Sequence, residues 1–201
     1  MIRVLIAEDQ AMVRGALKAL LAMEEDIEIV AEVSRADRVV ETANHCKPDV
    51  ALLDIEMPGG DGITAASQLR KEFPSCKTLI LTTFGRPGFL RRAMEAGASG
   101  FMLKDAPAHE LALAIRKTMH GERVVDPGLA AAALSTGSSP LSDREREVLK
   151  AGRGGANVAE IARSLFLSEG TVRNYLSSAI QKLEVTNRTE AARVAEDQGW
   201  L

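Results

Sequence analysis

Residues 50–62 read VALLDIEMPGGDG. The run Val50 to Leu53 is apolar without alternation, as expected of a strand covered on both faces. It ends in a bare carboxylate, Asp54, and the chain then breaks up at Pro58, Gly59 and Gly60. A buried strand does not need an acid at its tip. In an open parallel sheet, however, ligands bind beyond the carboxyl ends of the strands, and an acid there is placed for chemistry.

Working outward, similar runs recur at Val4 to Ala7, Ile27 to Val33, Thr78 to Leu81 and Gly100 to Leu103. Segments with helical spacing lie between them, among them Met12–Ala16–Leu20, Leu90–Met94 with Ala93, and Leu111–Ile115 with Ala112. Five strand-like runs, each followed by a helix-like run, predict βα units and a parallel sheet with helices on both faces. Pro87 suits the first turn of one helix and Gly97 its end, while Pro107 and Gly121 bracket the last helix of the block. After residue 120 the composition shifts. VVDPGLAAAAL predicts a short helix and STGSSP a polar joint. Beyond it the strand signal stops, and Ser142, Asp143 and Glu145 offer capping chemistry for a helix through Leu149. Helical patterns follow at about 157–166, 169–184 and 187–198. The division expected is residues 1–120, a linker 121–140, and an all-α domain 141–201.

The totals set bounds. Of 201 residues, 46% are hydrophobic and 26% charged, the balance of a globular chain. No apolar run approaches the ~18 residues of a membrane span. The segment MIRVLIAEDQ reaches an acidic pair after a short apolar run, so no signal peptide or membrane insertion is expected. Cys46 and Cys76 have no metal-type spacing and read as reduced thiols of a cytoplasmic protein. His45, His109 and His120 are scattered, which argues against zinc. The formal charge of −3 does not advertise a nucleic-acid ligand.

Three acids stand at predicted strand ends: Glu8 and Asp9 after the first, Asp54 after the third. Carboxylates brought together are costly unless a cation compensates, and hard oxygen ligands with room for water suit Mg²⁺. Thr82 and Lys104 end the fourth and fifth strands. A hydroxyl, an ammonium and a divalent cation around one aspartate can orient a phosphoryl group, and an aspartate can be the nucleophile that receives it. Any one such residue alone would read as a solvated loop side chain. Five of them at strand ends of one βα array point to Asp54 as a phosphorylation site.

The segments IAEDQ, LLDIEMPGGDG, LTTF and GFMLKDAP resemble the receiver domains of two-component response regulators. The resemblance covers residues 1–120 and implies a flavodoxin-like α/β fold. It implies Asp54 as phosphoacceptor and a Mg²⁺ site formed by Asp9, Asp54, water-mediated Glu8 and the backbone carbonyl of Glu56. It further implies contacts to the phosphoryl oxygens from Thr82 and Lys104, and a switch role for Thr82 with Phe101. Taken by itself, Phe101 reads as core packing. A sensor histidine kinase would be the phosphoryl donor.

In the tail, Val158, Ile161, Ala162 and Leu165 form one apolar stripe, and Val172, Leu176, Ile180 and Leu183 another. Opposite the second lie Arg173, Asn174 and Ser177, near the start of their helix, where a recognition helix meets the major groove. An isolated helix with such a face is more often merely solvated. From Leu141 onward nine Lys or Arg balance nine Asp or Glu, 9 − 9 = 0, so charge alone lends no support. Yet SDREREVL, AEIARSLFLSEGTVRNYLSSAIQKL and NRTEAARVA resemble the LuxR-type helix-turn-helix of NarL/FixJ-class response regulators, and among these the DesR-like subgroup. That resemblance implies base contacts from Arg173, Asn174 and Ser177, phosphate contacts from Thr171 and Lys182, and a last helix, from Asn187, that helps dimerise the domain. The protein expected is a homodimer when phosphorylated, bound to double-stranded promoter DNA, and not an enzyme. The chain departs from the family at Ala151 and Gly152, followed by Gly154 and Gly155, so the first helix of the tail is expected to be short or weakly packed. Val158 stands where Asn is common.

Two other readings compete. An aspartyl-phosphate phosphatase would use Asp54 as nucleophile, but such enzymes usually carry a second Asp where Glu56 stands, and no cap domain is evident. A regulator acting through protein partners, without DNA, would fit the neutral tail.

Overall fold

The structure, a computed structural model, describes every residue except Phe84 and residues 136–138. The polar joint predicted at 135–140 therefore falls largely outside the described residues, as does the last position of LTTF. Contacts divide the chain into two compact units, Met1–Gly85 with Leu90–Ala130, and Arg86–Phe89 with Ala131–Leu201. Among the described residues no helix is long and apolar enough to cross a membrane.

The first unit contains all five predicted strands: β1 (Ile2–Ala7), β2 (Ile27–Val33), β3 (Val50–Asp54), β6 (Lys77–Thr82) and β7 (Gly100–Leu103). Its helices are α1 (Ala11–Leu21), α2 (Val39–Cys46), α3 (Gly62–Glu72), α4 (Pro87–Glu95) and α5 (Ala108–Met119), and α6 (Pro127–Ser135) realises the predicted short helix. The strands pair in parallel in the order β2-β1-β3-β6-β7. Val4, Ile6, Val50, Leu52, Leu79 and Leu81 share one core with Leu111 and Ile115 of α5. Strand side chains alternate in direction, so Leu5, Leu53, Ile80 and Phe101, all buried, face the other layer, where α2 and α3 lie. Burial on both faces is why these strands read as continuous apolar runs.

The sheet gains a sixth strand, β8 (Val124–Val125), which pairs in parallel with β7 so that Val125 stands opposite Phe101. The predicted linker thus begins as sheet. Gly100 makes this possible, because a Cβ there would come within 2.9 Å of the Val124 carbonyl oxygen. A second unpredicted feature is a small antiparallel hairpin, β4 (Glu56–Met57) and β5 (Gly60–Asp61). Pro58 and Gly59 form its turn, with Gly59 at φ 82°, in the Pro–Gly order of a type II turn. Asp61 then caps α3, its carboxylate accepting from the Thr64 backbone N–H at 2.8 Å.

The stripe that marked α1 by its helical spacing, Met12–Ala16–Leu20, lies on the outer face of the helix. Met12 is 88% exposed and Leu20 is also exposed, whereas Leu21 is buried and Leu17 packs on the core. The spacing was helical, but Val13–Leu17–Leu21 is helical too, and only packing distinguishes the two.

Besides the first turn of α4 and part of α6, the second unit contains α7 (Asp143–Gly152), α8 (Val158–Ser164), α9 (Glu169–Lys182) and α10 (Arg188–Asp197). Each of the four has a side-chain N-cap, from Ser142, Asn157, Ser168 and Asn187, and the first two complete reciprocal capping boxes with Glu145 and Glu160. Such caps contribute about 1 kcal/mol each, which matters in a unit whose core includes four alanines. α7, expected to be short or weakly packed, runs for 10 residues, as long as α10 and longer than α8, and is well packed. Val148 and Leu149 are buried, and a Cβ at Gly152 would lie 3.3 Å from the Ile161 Cδ1 methyl. The glycine that costs helix propensity gives α8 its seat.

Candidate functional site

Parallel registration brings the predicted acids together. Ala7 pairs with Leu53, Asp54 with Leu81 and Thr82 with Leu103, so β1, β3, β6 and β7 end at one rim. There a carboxylate oxygen from each of Glu8, Asp9 and Asp54 lies within 4.8 Å of the others. Glu8 is only 1% exposed and Asp54 only 5%. Lys104 reaches both, with Nζ 2.6 Å from Glu8 Oε2 and 3.0 Å from Asp54 Oδ1. Its backbone N–H donates to the Thr82 carbonyl at 2.8 Å, which fixes the ends of β6 and β7 side by side. Thr82 itself is buried at the end of β6, and Phe101 is fully buried on β7.

The electrostatics leave the cluster unfinished. Three carboxylates face one ammonium. Burial pushes the Asp54 carboxyl above its ordinary value, opposed by the hydrogen bond and charge of Lys104. Burial also works against the charge on Lys104, but Glu8 and Asp54 outweigh it and hold the ammonium above its ordinary value. Asp54 Oδ1 accepts from the Ile55 backbone N–H at 2.8 Å, and Glu8 Oε1 from that of Gln10 at 3.1 Å. Asp9 Oδ1 is buried with no hydrogen-bond partner. Glu8 Oε2, though close to Lys104 Nζ, lies outside hydrogen-bond geometry with it. Buried orphaned carboxylate oxygens are costly, and a small hard dication with oxygen ligands fits the donor set.

The hairpin follows Asp54 directly. Glu56 begins β4, two residues after Asp54, with its side chain exposed. The chain returns over the acid at Gly62, the first residue of α3. A Cβ there would collide with the Asp54 carbonyl oxygen. The sequence reading stopped at Gly60 and missed Gly62, although the spacing D-x₇-G was visible.

The second constellation lies on α9. Val172, Leu176 and Ala179 are buried, while Arg173, Asn174 and Ser177 are exposed on the opposite side. Thr171 sits at the helix start, its Oγ1 2.8 Å from the Ser168 Oγ that caps the helix. Lys182, at the far end, is already engaged. Its Nζ donates to Glu145 Oε2 at 2.8 Å, and Ser178 Oγ donates to Oε1 of the same carboxylate at 2.6 Å. Glu145 is 3% exposed. Burial alone would raise its pKa, but the hydrogen bonds from Lys182, Ser178 and Ser142 prevail and bring it to about 2. The sequence reading placed Glu145 at a cap and missed its second task, that of fixing the end of α9 to α7.

With this geometry in place, known proteins can be compared. Residues 4–116 match the response regulator receiver domain, and residues 139–195 match the LuxR family of bacterial regulatory proteins. The transcriptional regulatory protein DesR of Bacillus subtilis (strain 168) is 46% identical over 201 residues, the full length of both chains. Response regulator RamR of Streptomyces coelicolor is 37% identical, covering 100% of this chain and 98% of its own. Among solved structures, response regulator ChrA of a heme-sensing two-component system has a TM-score of 0.60 and 37% identity, covering 100% of this chain and 98% of its own. A structure of two RcsB dimers bound to two parallel DNAs gives 0.70 and 26%, covering 97% and 98%. The chain therefore belongs to the response regulators that join a receiver domain to a LuxR-type DNA-binding domain.

Proposed function

We propose that the protein is a transcription factor controlled by phosphorylation of Asp54, with a sensor histidine kinase as donor and Mg²⁺ as cofactor. The observation that carries this reading is the convergence of Glu8, Asp9 and Asp54 at the strand ends, paired with Lys104. Asp9, Asp54 and the Glu56 carbonyl would hold the ion directly and Glu8 through water. When bound, the ion supplies charge neutralisation for an incoming phosphoryl group. An Asp54 carboxylate oxygen attacks phosphorus as the bond to the donor nitrogen breaks, leaving the electron pair on that nitrogen and an acyl phosphate on the protein. Lys104 then exchanges its Asp54 contact for a phosphoryl oxygen, and the Thr82 hydroxyl donates to another. Thr82 ends β6 and Lys104 directly follows β7, so the change would pass to the strand that carries Phe101, the proposed switch residue. The new charge can shift an equilibrium only by its differential affinity for the two states, and a swing from 1:99 to 99:1 requires about 5.5 kcal/mol.

The output would be a homodimer on promoter DNA. Exposed Met12, Leu20 and Met23 at α1, and Leu113 and Met119 of α5, support association of two copies. The last helix, from Asn187, would help pair the DNA-binding domains. Arg173, Asn174 and Ser177 would face base edges, with Thr171 and Lys182 toward phosphates. Lys182 has three donors and uses one on Glu145. A domain of zero net charge binds DNA weakly as a single copy, which favours a paired arrangement. The test compares oligomeric mass and DNA footprint with and without beryllofluoride and Mg²⁺. The expected result is dimerisation and an extended footprint with the analogue. No change in either would overturn the reading.

A further inference from the structure

The guanidinium best placed to read a base is already engaged within its own helix. Arg173 Nη2 donates to Glu169 Oε2 at 2.7 Å. Glu169 precedes it by four residues, the order that favours such a pair on a helix. It is also the first residue of α9, just after the Ser168 cap, where the helix dipole favours a carboxylate. The intervening Gly170 has no side chain to shield the pair, and a Cβ there would approach only Ser168 Oγ, at 3.8 Å. Both partners are open to solvent, with 61% and 50% of their side chains exposed. The leading end of α9 thus offers DNA a carboxylate and a guanidinium together.

This arrangement discriminates between two kinds of acceptor. A backbone phosphate approaching Arg173 meets the repulsion of Glu169 and must also compete for the guanidinium. A guanine edge carries no net charge and presents O6 and N7 as a bidentate acceptor, so it can replace the single bond to Glu169 with two. Sequence-independent affinity rests on phosphate contacts, so a carboxylate at this position lowers it more than it lowers affinity for the right sequence. We propose that Glu169 is a specificity-determining residue, withholding Arg173 from phosphates and yielding it to guanine. The inference rests on the reading of α9 as the base-reading helix.

The test uses the full chain with beryllofluoride and Mg²⁺. Two duplexes serve as probes: one selected by the wild-type chain from a random 20-base-pair library (a length of about two helical turns), and a scrambled duplex of the same composition. Affinities are measured by fluorescence anisotropy at several salt concentrations for wild type, Glu169→Ala, Glu169→Gln, Arg173→Ala and the double variant Glu169→Ala with Arg173→Ala. Both Glu169 substitutions should tighten binding to the scrambled duplex by about fivefold and to the selected one by less than about twofold, with a steeper salt dependence on the scrambled duplex. In the Arg173→Ala background, removing Glu169 should leave the ratio between duplexes unchanged. Equal tightening on both duplexes, no tightening on the scrambled one, or a ratio change that persists without Arg173 would each overturn the proposal. If Arg173→Ala alone leaves the selected duplex bound as before, the base-reading role of α9 fails, and the proposal with it. If that variant weakens binding while the Glu169 variants leave the ratio unaltered, only the role of Glu169 fails.

Discussion

The two constellations handle charge in opposite ways. At the rim of the sheet three buried or partly buried carboxylates gather, two of them share one ammonium, and some of their oxygens have no hydrogen-bond partner. On α9 the exposed guanidinium has its own acid within the helix, and the ammonium at the far end is held by Glu145. The pocket is left with a deficit that a small cation and a phosphoryl group would fill, whereas the exposed face of α9, the proposed reading face, is already balanced. Burial explains the difference. A desolvated charge without a partner is costly enough to demand a ligand, while a solvated pair is worth little and can be exchanged.

The comparison can be broken at the pocket first. Asp54→Asn should abolish phosphoryl incorporation from radiolabelled acetyl phosphate with Mg²⁺, the largest effect expected, and retained labelling would move the phosphoacceptor elsewhere. Gly62→Ala, which adds a methyl where the chain crosses the Asp54 carbonyl, should destabilise the receiver unit by about 3 kcal/mol, read by calorimetry. On the reading face, Arg173→Ala should weaken binding to a selected duplex by about 2 kcal/mol while leaving the melting temperature unchanged; loss of both would indicate a folding defect instead.

The smallest effect concerns Glu145, buried like the pocket acids but fully partnered. Glu145→Gln should cost about 1.5 kcal/mol, read from the fluorescence of Trp200, the single tryptophan of the chain. The pH dependence has a definite sign. The carboxyl titrates near 2 in the fold against an ordinary 4.5, so its contribution is present above pH 4.5 and fades as pH falls from there toward 2. Wild type and variant should therefore converge in acid. A constant gap would show that Lys182 and Ser178 do not hold the ionised form.

Much of this was legible in the residues themselves. Five apolar runs marked five strands, because burial on both faces removes alternation, and the acids at their ends marked the rim. β4, β5 and β8 were not legible, since two-residue strands carry no period; registration against neighbours makes them strands. The orientation of α1 was not legible for a related reason. Two stripes of that helix were apolar, and only docking against the sheet selected the one through Leu17 and Leu21. On α9 the exposure of the trio was legible from the opposite buried stripe, but Glu169 entered only the overall charge count and not as a partner of Arg173. Its pairing depends on a rotamer that spacing permits and does not dictate.

The two valines of β8 have one more consequence. Without them the backbone of β7 would run unpaired along one margin of the sheet, a row of free N–H and C=O groups able to recruit a strand from another molecule. Val124 and Val125 cover its first half, opposite Gly100 and Phe101, and leave a shorter exposed edge, a poorer template for intermolecular growth. The segment leading toward the DNA-binding half thus shortens the open edge of the receiver sheet, and the missing side chain at Gly100 is what lets it close.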